Sequence, residues 1–293
     1  MKKGLFALFL SAAMFVFSAC NETGQQGEGG EPEPEDVVYD VYLFIGQSNM
    51  AGRGAMIAGD DEPIPNVYLL GTEDTPVPAV APPNFYSTVR KGMKLQGINP
   101  AWQFAKEMSE KSKNPVLIVC NARGATSLSM WQKNAGMRFY SEAEGDDKWL
   151  WNTPMPSLYG EAVRRCKEAM KYGQLKAICW HQGCGDSQEG VVKTYLNRLN
   201  TFVTDLRTDL GVGSEVPFIA GELYYGYTNA FRFNPEIRKI GDVITEGYWV
   251  SAEGCTSNAD QVHFSRQGQI LLGERYADKV FELLDVEKEE AAQ

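Results

Sequence analysis

Short apolar runs alternate along the chain with longer segments in which apolar residues recur every three or four positions. The short runs are mostly β-branched or aromatic, as strands that are buried on both faces of a sheet are. They predict strands at 37–45, 116–120, 176–180, 216–220 and 249–251. The longer segments have the periodicity of amphipathic helices. They predict helices within 155–171, 191–206 and 270–284.

The alternation of strands and helices predicts an α/β fold in which a parallel sheet lies between helical layers. Residues 37–293 contain neither an internal repeat nor a Gly/Pro/Ser-rich linker, so these 257 residues are interpreted as one domain. In such folds, ligands bind near the carboxyl ends of the strands. The residues that follow each predicted strand are therefore the first place to search for chemistry.

The first twenty residues have the features of an export signal. Lys2 and Lys3 precede an apolar stretch of 13 residues, which is too short to span a bilayer. The stretch leads into the segment FSAC, which resembles a bacterial lipobox whose cysteine, here Cys20, is lipidated. We therefore expect a lipoprotein signal peptide at 1–20. The alternative is a plain secretory signal that is cut near Ala19.

The segment that follows, 21–36, has six acidic side chains, many Gly and Pro residues, and no aliphatic or aromatic side chain. A segment of this composition does not bury enough apolar surface to fold. It is interpreted as a flexible acidic tether between a lipid anchor on Cys20 and the domain at 37–293. The expected location is the bacterial cell envelope, with the outer membrane as the anchoring membrane.

The charge and composition narrow the classes of partner. The 293 residues include 28 Lys and Arg against 38 Asp and Glu, which gives a net charge of −10, and 43% of the residues are hydrophobic. This hydrophobic content excludes a fully disordered chain, and the acidic balance argues against a nucleic-acid partner. The chain has only two histidines, His181 and His263, so chemistry that needs an imidazole has two candidates.

Two polar motifs flank the predicted sheet. The string GQSNMAG at 46–52 follows the first strand and places Ser48 at the rim of the sheet. Asp260 and His263 lie three residues apart, so Asp260 can accept a hydrogen bond from one imidazole nitrogen while the other points outward. A serine with such a pair has the composition of a serine hydrolase triad. Taken singly, a serine after a strand is more often a turn or helix-cap residue, and Asp260 is equally a residue that caps backbone amides in a loop.

The set of motifs resembles the SGNH-type esterases, and within them the sialate O-acetylesterase and acetylxylan esterase group, carbohydrate esterase family 6. The matching strings are GQSNMAG at 46–52, NARGATSLSMW at 121–131, WHQG at 180–183 and DQVHFS at 260–265. They occur in the family's order and span nearly all of 37–285. The resemblance implies a three-layer α/β/α sandwich with a flavodoxin-like parallel sheet.

The resemblance also implies roles for particular residues. Ser48 is then the nucleophile, His263 the general base and acid, and Asp260 the carboxylate that orients His263. The oxyanion hole is expected from the backbone N–H groups of Ser48 and Gly124 and from the side-chain amide of Gln182. This chemistry needs no cofactor, and no metal is expected because the two histidines lie in separate motifs.

One position departs from the family pattern. The family has Glu after His-Gln-Gly, and this chain has Cys184. A thiol does not accept the charged hydrogen bonds of a carboxylate, and Asp186 is a candidate substitute. Cys184 is then a small packing residue, a disulfide partner, or the mark of a site that has lost activity.

Substrate choice is expected to come from the loops. Trp131 begins an aromatic-rich segment, 131–151, whose rings either stack on sugars or pack a long insertion onto the domain. Arg53 and Arg123 flank the first two motifs and are candidates for pairing with a substrate carboxylate such as that of sialic acid. The function predicted is an envelope-anchored esterase that removes acetyl groups from carbohydrates. The alternative is a glycan-binding lipoprotein with a degenerate esterase site.

Overall fold

A mixed sheet of seven strands organises the chain, in the order β3-β2-β4-β1-β5-β6-β7. The structure is a computed structural model that describes residues 37–90, 95–135 and 157–291, without the side chains of 285–291. All neighbouring strands are parallel except β2 and β3. The strands are β1 Tyr39–Gly46, β2 Val67–Leu70, β3 Pro76–Pro78, β4 Val116–Cys120, β5 Gly173–His181, β6 Phe218–Gly221 and β7 Gly247–Val250.

Five of these strands, β4-β1-β5-β6-β7, follow one another in the flavodoxin order 2-1-3-4-5. The predicted α/β class and flavodoxin-like parallel sheet are confirmed, and all five predicted strands occur with ends shifted by at most three residues. The pair β2 and β3 was not predicted. Prolines at both ends of β3 cannot donate to a ladder, which confines this short antiparallel strand to the sheet edge.

Helices cover both faces of the sheet. Along β1, Val41, Leu43 and Ile45 belong to one buried cluster, and Tyr42 and Phe44 belong to the other, because successive side chains of a strand point to opposite faces. Within the described residues the helices are α1 Ser48–Ala51, α2 Pro100–Lys111, α3 Leu158–Ala169, α4 Glu189–Val192, α5 Tyr195–Leu210, α6 Ala230–Ile237 and α7 Arg266–Ala291.

The three predicted helices are present, although the second is divided into α4 and α5. Helices α3 and α5 contribute to the first cluster, and α2 and α7 contribute to the second, which gives the three expected layers. Helices α2 and α6 were missed. None of the helices in the described part of the chain is long and apolar enough to cross a membrane.

The carboxyl ends of β1, β4 and β5 meet at one edge of the sheet. Gly46 at the end of β1 pairs with His181 at the end of β5. Its φ is +140°, and a β-carbon there would lie 2.2 Å from the His181 carbonyl oxygen, so only glycine fits this position. The order of the strands reverses on the two sides of β1, and this is the place where such folds bind ligands.

Residues 37–293 form one compact unit. The predicted signal peptide at 1–20 with Cys20, the tether at 21–36, and most of the aromatic-rich segment 131–151 lie outside the described residues.

Candidate active site

Ser48 is separated from the end of β1 by one residue, Gln47, and begins the short helix α1. Ser48 is 6% exposed and lines a cavity. Ser48 Oγ lies 2.9 Å from Nε2 of His263, a residue 215 positions further along the chain. The fold therefore brings together two motifs that lie near opposite ends of the domain in the sequence.

A tight turn presents His263 to Ser48. Asp260 Oδ1 accepts hydrogen bonds from the backbone N–H groups of Val262 and His263, each at 2.9 Å. Its Oδ2 accepts from Nδ1 of His263 at 2.7 Å. Gln261 between them has a φ of +54°, in the left-handed region, which closes the turn. Ser48, His263 and Asp260 thus form one hydrogen-bonded series.

The electrostatics of this series favour the charged form of the Asp260 carboxylate. Burial alone would raise the pKa of the Asp260 carboxyl, but the N–H groups of His263 and Val262 and the His263 ring lower it to about 2. Because the carboxylate holds the proton of His263 on Nδ1, Nε2 is left as an acceptor for the Ser48 hydroxyl. This arrangement can remove a proton from Ser48.

The cavity beside Ser48 has a volume of about 460 Å³. That volume falls in the range of small-molecule sites. Its wall includes loops after β1, β4 and β5 and the turn that carries His263. The lining residues are Gln47, Ser48, Arg53, Leu95, Gly124, Ala125, Thr126, Ser127, Met130, Cys184, Gly185, Val262 and His263.

The two backbone N–H groups expected in the oxyanion hole are free to bind an anion. Those of Ser48 and Gly124 have no hydrogen-bond partner within the ranges that the structure describes. Gly124 lies close against the turn that carries Ser48, since a β-carbon built on it would be 3.4 Å from Ser48 Cβ. Preorganised N–H groups of this kind stabilise the oxyanion of acyl transfer.

Gln182, the third expected oxyanion donor, requires a correction. Its Nε2 donates to the Thr126 carbonyl at 3.1 Å and to Asp186 Oδ2 at 2.7 Å. Both amide protons are therefore engaged, and the side chain is buried behind the cavity wall rather than exposed in it. Gln182 joins two loops of the site and is not a free donor.

Asp186 is the residue that the sequence suggested as a substitute for the Glu that the family has at position 184. It is buried, and its Oδ2 accepts from Leu128 N–H at 2.8 Å as well as from Gln182. Its Oδ1 accepts from two nitrogens of Arg198, both at 3.0 Å. Asp186 therefore fixes Gln182 and the loop that contains Gly124 to helix α5.

Two of the expected substrate-binding residues are structural. Trp131 is fully buried, donates from Nε1 to Thr126 Oγ1 at 3.1 Å, and packs edge-on against Trp180. Arg123 is 2% exposed and donates to the Val89 carbonyl at 3.0 Å. Neither side chain lines the cavity in the described part of the chain, so the structure does not support a direct contact of either with substrate.

Arg53, the third expected substrate-binding residue, does line the cavity. Its NH1 donates to the carbonyls of Gly52 and Leu95, each at 2.7 Å, and its NH2 points toward Gly124, where a β-carbon would lie 2.8 Å from it. Burial lowers the pKa of Arg53, and the charge of Asp260 opposes this shift. A guanidinium is thus held near Ser48.

Cys184 also lines the cavity. Burial raises the pKa of its thiol to about 12, against a smaller opposing effect of the Gln47 amide, so the thiol is neutral at physiological pH. The five cysteines within the described residues are free thiols, which removes the disulfide alternative for Cys184. Sequence reasoning missed Gln47, although it lies within GQSNMAG. Gln47 Oε1 accepts from Gly183 N–H at 3.3 Å.

The second histidine takes no part in the series. His181 is fully buried, and its Nε2 is 2.9 Å from the Glu222 carbonyl. Burial lowers the pKa of His181 to about 4, which keeps the ring neutral. In the described part of the chain, no three His, Cys, Asp or Glu side chains are grouped as metal ligands.

This α/β/α sandwich is shared with solved structures such as NanS and a carbohydrate acetylesterase from Xanthomonas citri. The model of the family described as "Carbohydrate esterase, sialic acid-specific acetylesterase" matches residues 38–282. The chain belongs to this carbohydrate esterase family.

Individual relatives agree with this assignment. The "Probable carbohydrate esterase" of Arabidopsis thaliana is 25% identical over 252 residues, which cover 80% of this chain and 86% of that protein. Among solved structures, an Arabidopsis thaliana protein has a TM-score of 0.69 at 20% identity and covers 84% of this chain and 98% of its own. NanS has a TM-score of 0.60 at 16% identity and covers 86% of this chain and 99% of its own. These structures share the fold.

Proposed function

We propose that this chain is a serine-dependent O-acetylesterase that removes acetyl groups from carbohydrates. The observation that carries the proposal is the series from Ser48 Oγ through His263 to Asp260, with distances of 2.9 and 2.7 Å, at the edge of a cavity. Family membership supports a carbohydrate ester as the substrate.

The first half of the proposed reaction transfers the acetyl group to the enzyme. His263 Nε2 takes the proton of Ser48 as Oγ forms a bond to the acetyl carbonyl carbon. The carbonyl oxygen becomes an oxyanion, which accepts hydrogen bonds from the backbone N–H groups of Ser48 and Gly124. His263 then gives its proton to the sugar oxygen as the ester C–O bond breaks. Asp260 stabilises the imidazolium while His263 holds that proton.

The second half releases acetate. A water molecule attacks the acetyl-serine, and His263 Nε2 takes one of the water's protons. The same two N–H groups hold the second oxyanion. The bond to Ser48 Oγ breaks as His263 returns the proton to that oxygen, and acetate leaves with the water's oxygen.

Replacement of the nucleophile tests the proposal. Ser48→Ala is expected to lower kcat for a chromogenic acetyl ester by roughly 10⁵-fold or more, with an unchanged circular dichroism spectrum. Ser87→Ala is the matched control, because Ser87 is a buried serine outside the cavity wall. Acetate release that survives in Ser48→Ala would contradict the assignment.

For the sugar, we propose a substrate that carries a carboxylate, with O-acetylated sialic acid as the first candidate. The support is Arg53, whose guanidinium faces Gly124 beside the nucleophile. Loss of a charged hydrogen bond typically raises KM by about 10-fold or more. Arg53→Met is expected to raise KM by this factor for O-acetylated sialic acid and to change KM for acetylated xylan by less than about twofold. Equal losses on both substrates would contradict a carboxylate partner.

The neutral thiol of Cys184 favours one alternative, a glycan-binding lipoprotein with a weakened esterase site. Under this alternative, the wild-type chain is expected to be inert toward acetylated xylan, acetylated pectin and O-acetylated sialic acid. Cys184→Glu is then expected to gain activity. An active wild type excludes this alternative.

We propose in addition that the domain at 37–293 is exported and held by a lipid on Cys20 through the tether at 21–36. The support is the basic and apolar pattern that precedes the segment FSAC. In a bacterial host, Cys20→Ala is expected to move the protein from the membrane fraction to the soluble fraction. An unchanged distribution, or a mature chain without the mass of a lipid, would contradict the anchor.

A further inference from the structure

The side chain of Asn49, the residue after Ser48, is fully buried and is directed at the loop that carries His263. Asn49 Oδ1 accepts from the backbone N–H of Phe264 at 2.9 Å. Asn49 Nδ2 donates to the carbonyl of Val262 at 3.3 Å. The amide therefore binds the backbone on both sides of His263.

These two hydrogen bonds link the nucleophile to its base by a short route. Asn49 shares helix α1 with Ser48, and the His263 loop comes from the other end of the domain. A side-chain amide can accept from an N–H group and donate to a carbonyl at the same time. Gln269 Nε2 fixes the amide further, at 3.4 Å from Asn49 Oδ1.

The loop that carries His263 is also connected to the backbone at Arg53, a few residues beyond helix α1. Asn258 N–H donates to the His263 carbonyl at 2.7 Å, and Asn258 Nδ2 donates to the Arg53 carbonyl at 3.1 Å. We expect these bonds to keep the loop on the domain when Asn49 is replaced. They reach it from the Arg53 side, however, and not from the helix that carries Ser48.

We propose that Asn49 is a positioning residue that sets the distance between Ser48 Oγ and His263 Nε2. It touches no substrate atom and acts through His263. This inference rests on the proposed esterase function. A displacement of about 1 Å in a catalytic pair typically costs about 100-fold in rate.

The chain contains a matched control for the two hydrogen bonds. Asn234 on α6 is also buried, and its amide accepts from Leu223 N–H and donates to the Leu223 carbonyl, both at 2.9 Å. It therefore holds a loop backbone as Asn49 does, without contact with Ser48 or His263. A purely structural role predicts the same result for both asparagines.

The test is a double-mutant cycle on kcat for a chromogenic acetyl ester. Asn49→Ala is expected to lower kcat by about 100-fold with KM within about threefold. Asn234→Ala is expected to leave kcat within about threefold at a comparable loss of thermal stability. In a His263→Ala background, Asn49→Ala is expected to change kcat by less than about twofold, because the base on which it acts is gone.

Three results would overturn the proposal: equal losses of kcat in both backgrounds, an equal loss in Asn234→Ala, or full activity in Asn49→Ala. If Asn49→Ala does not fold, Asn49→Asp retains the acceptor for Phe264 N–H and loses the donor to Val262, and an intermediate loss of kcat is expected. A failure of the esterase function is separate, because the wild type would then release no acetate, or His263→Ala alone would leave the release unchanged.

Discussion

Two aspartates near the cavity hold loops in similar ways, but their surroundings differ. The side chain of Asp260 is 48% exposed and accepts from His263 and from two backbone N–H groups. The side chain of Asp186 is 3% exposed and accepts from Gln182, from Leu128 N–H and from Arg198. Each carboxylate thus orders a loop and one side chain of the site.

The difference lies in the charge of the partner. Arg198 is a permanent cation, so its positive charge balances the negative charge of the Asp186 carboxylate whether or not a reaction takes place. His263 is neutral before proton transfer and cationic after it, so the attraction of Asp260 grows during the proposed reaction. We therefore expect Asp260 to contribute to the rate and Asp186 to the free energy of unfolding.

The largest expected effect is that of Asp260→Asn on the rate. An amide at this position no longer stabilises the imidazolium and can hold His263 in the wrong tautomer, which lowers kcat by about 10⁴-fold in a serine hydrolase. The midpoint of urea unfolding at pH 7 is expected to change little, because the side chain is half exposed. A loss of kcat below about tenfold would remove Asp260 from the catalytic series.

Asp186→Ala is expected to have the opposite profile. Removal of one partner from a buried ion pair typically lowers the free energy of unfolding by about 3–5 kcal/mol. Urea unfolding at pH 7 measures this loss. Asp186→Asn, which retains an acceptor for Leu128 N–H, is the control and is expected to lose less. A loss below about 1 kcal/mol for Asp186→Ala would show that the pair with Arg198 is open to solvent.

A variant of Gln182 distinguishes most directly between a catalytic and a structural role. Removal of an oxyanion donor costs about 10²–10³-fold in kcat, whereas loss of a buried structural hydrogen bond costs about 1–3 kcal/mol of stability. Gln182→Ala is expected to follow the second pattern, with kcat within about tenfold, because its amide protons bind Thr126 and Asp186. A 10²-fold loss of kcat at unchanged stability would restore Gln182 to the oxyanion hole.

The sequence predicted the parts of the molecule that depend on local spacing. Apolar runs located five strands, and the strand-end rule directed attention to Ser48. Asp260 and His263 lie within one turn of chain, so their hydrogen bond could be predicted from a separation of three residues. Elements with weaker local signals were missed, such as β3 with its two prolines and α6 with Pro235 in its interior.

The polar residues whose partners are distant in sequence could not be predicted in the same way. Arg123 binds the Val89 carbonyl, Trp131 binds Thr126, and the Gln182 amide binds Asp186. Each of these side chains had a chemically suitable role in the cavity, but packing supplied a buried partner instead. Asn49 was missed for the converse reason, because its partners are backbone atoms of a loop more than 200 residues away.

The smallest expected effect concerns the pH dependence of stability. The pKa of the Asp260 carboxyl is lowered from 3.8 to about 2 in the folded chain, so its stabilising contribution is complete above about pH 4 and is lost as the pH falls toward 2. The difference in unfolding free energy between the wild type and Asp260→Asn should therefore shrink between pH 5 and pH 2, as measured by urea unfolding. Since the side chain is half exposed, water already screens part of this contribution, and a small change is expected. A difference that is constant over this range would mean that the backbone N–H groups and His263 do not stabilise the charged carboxylate.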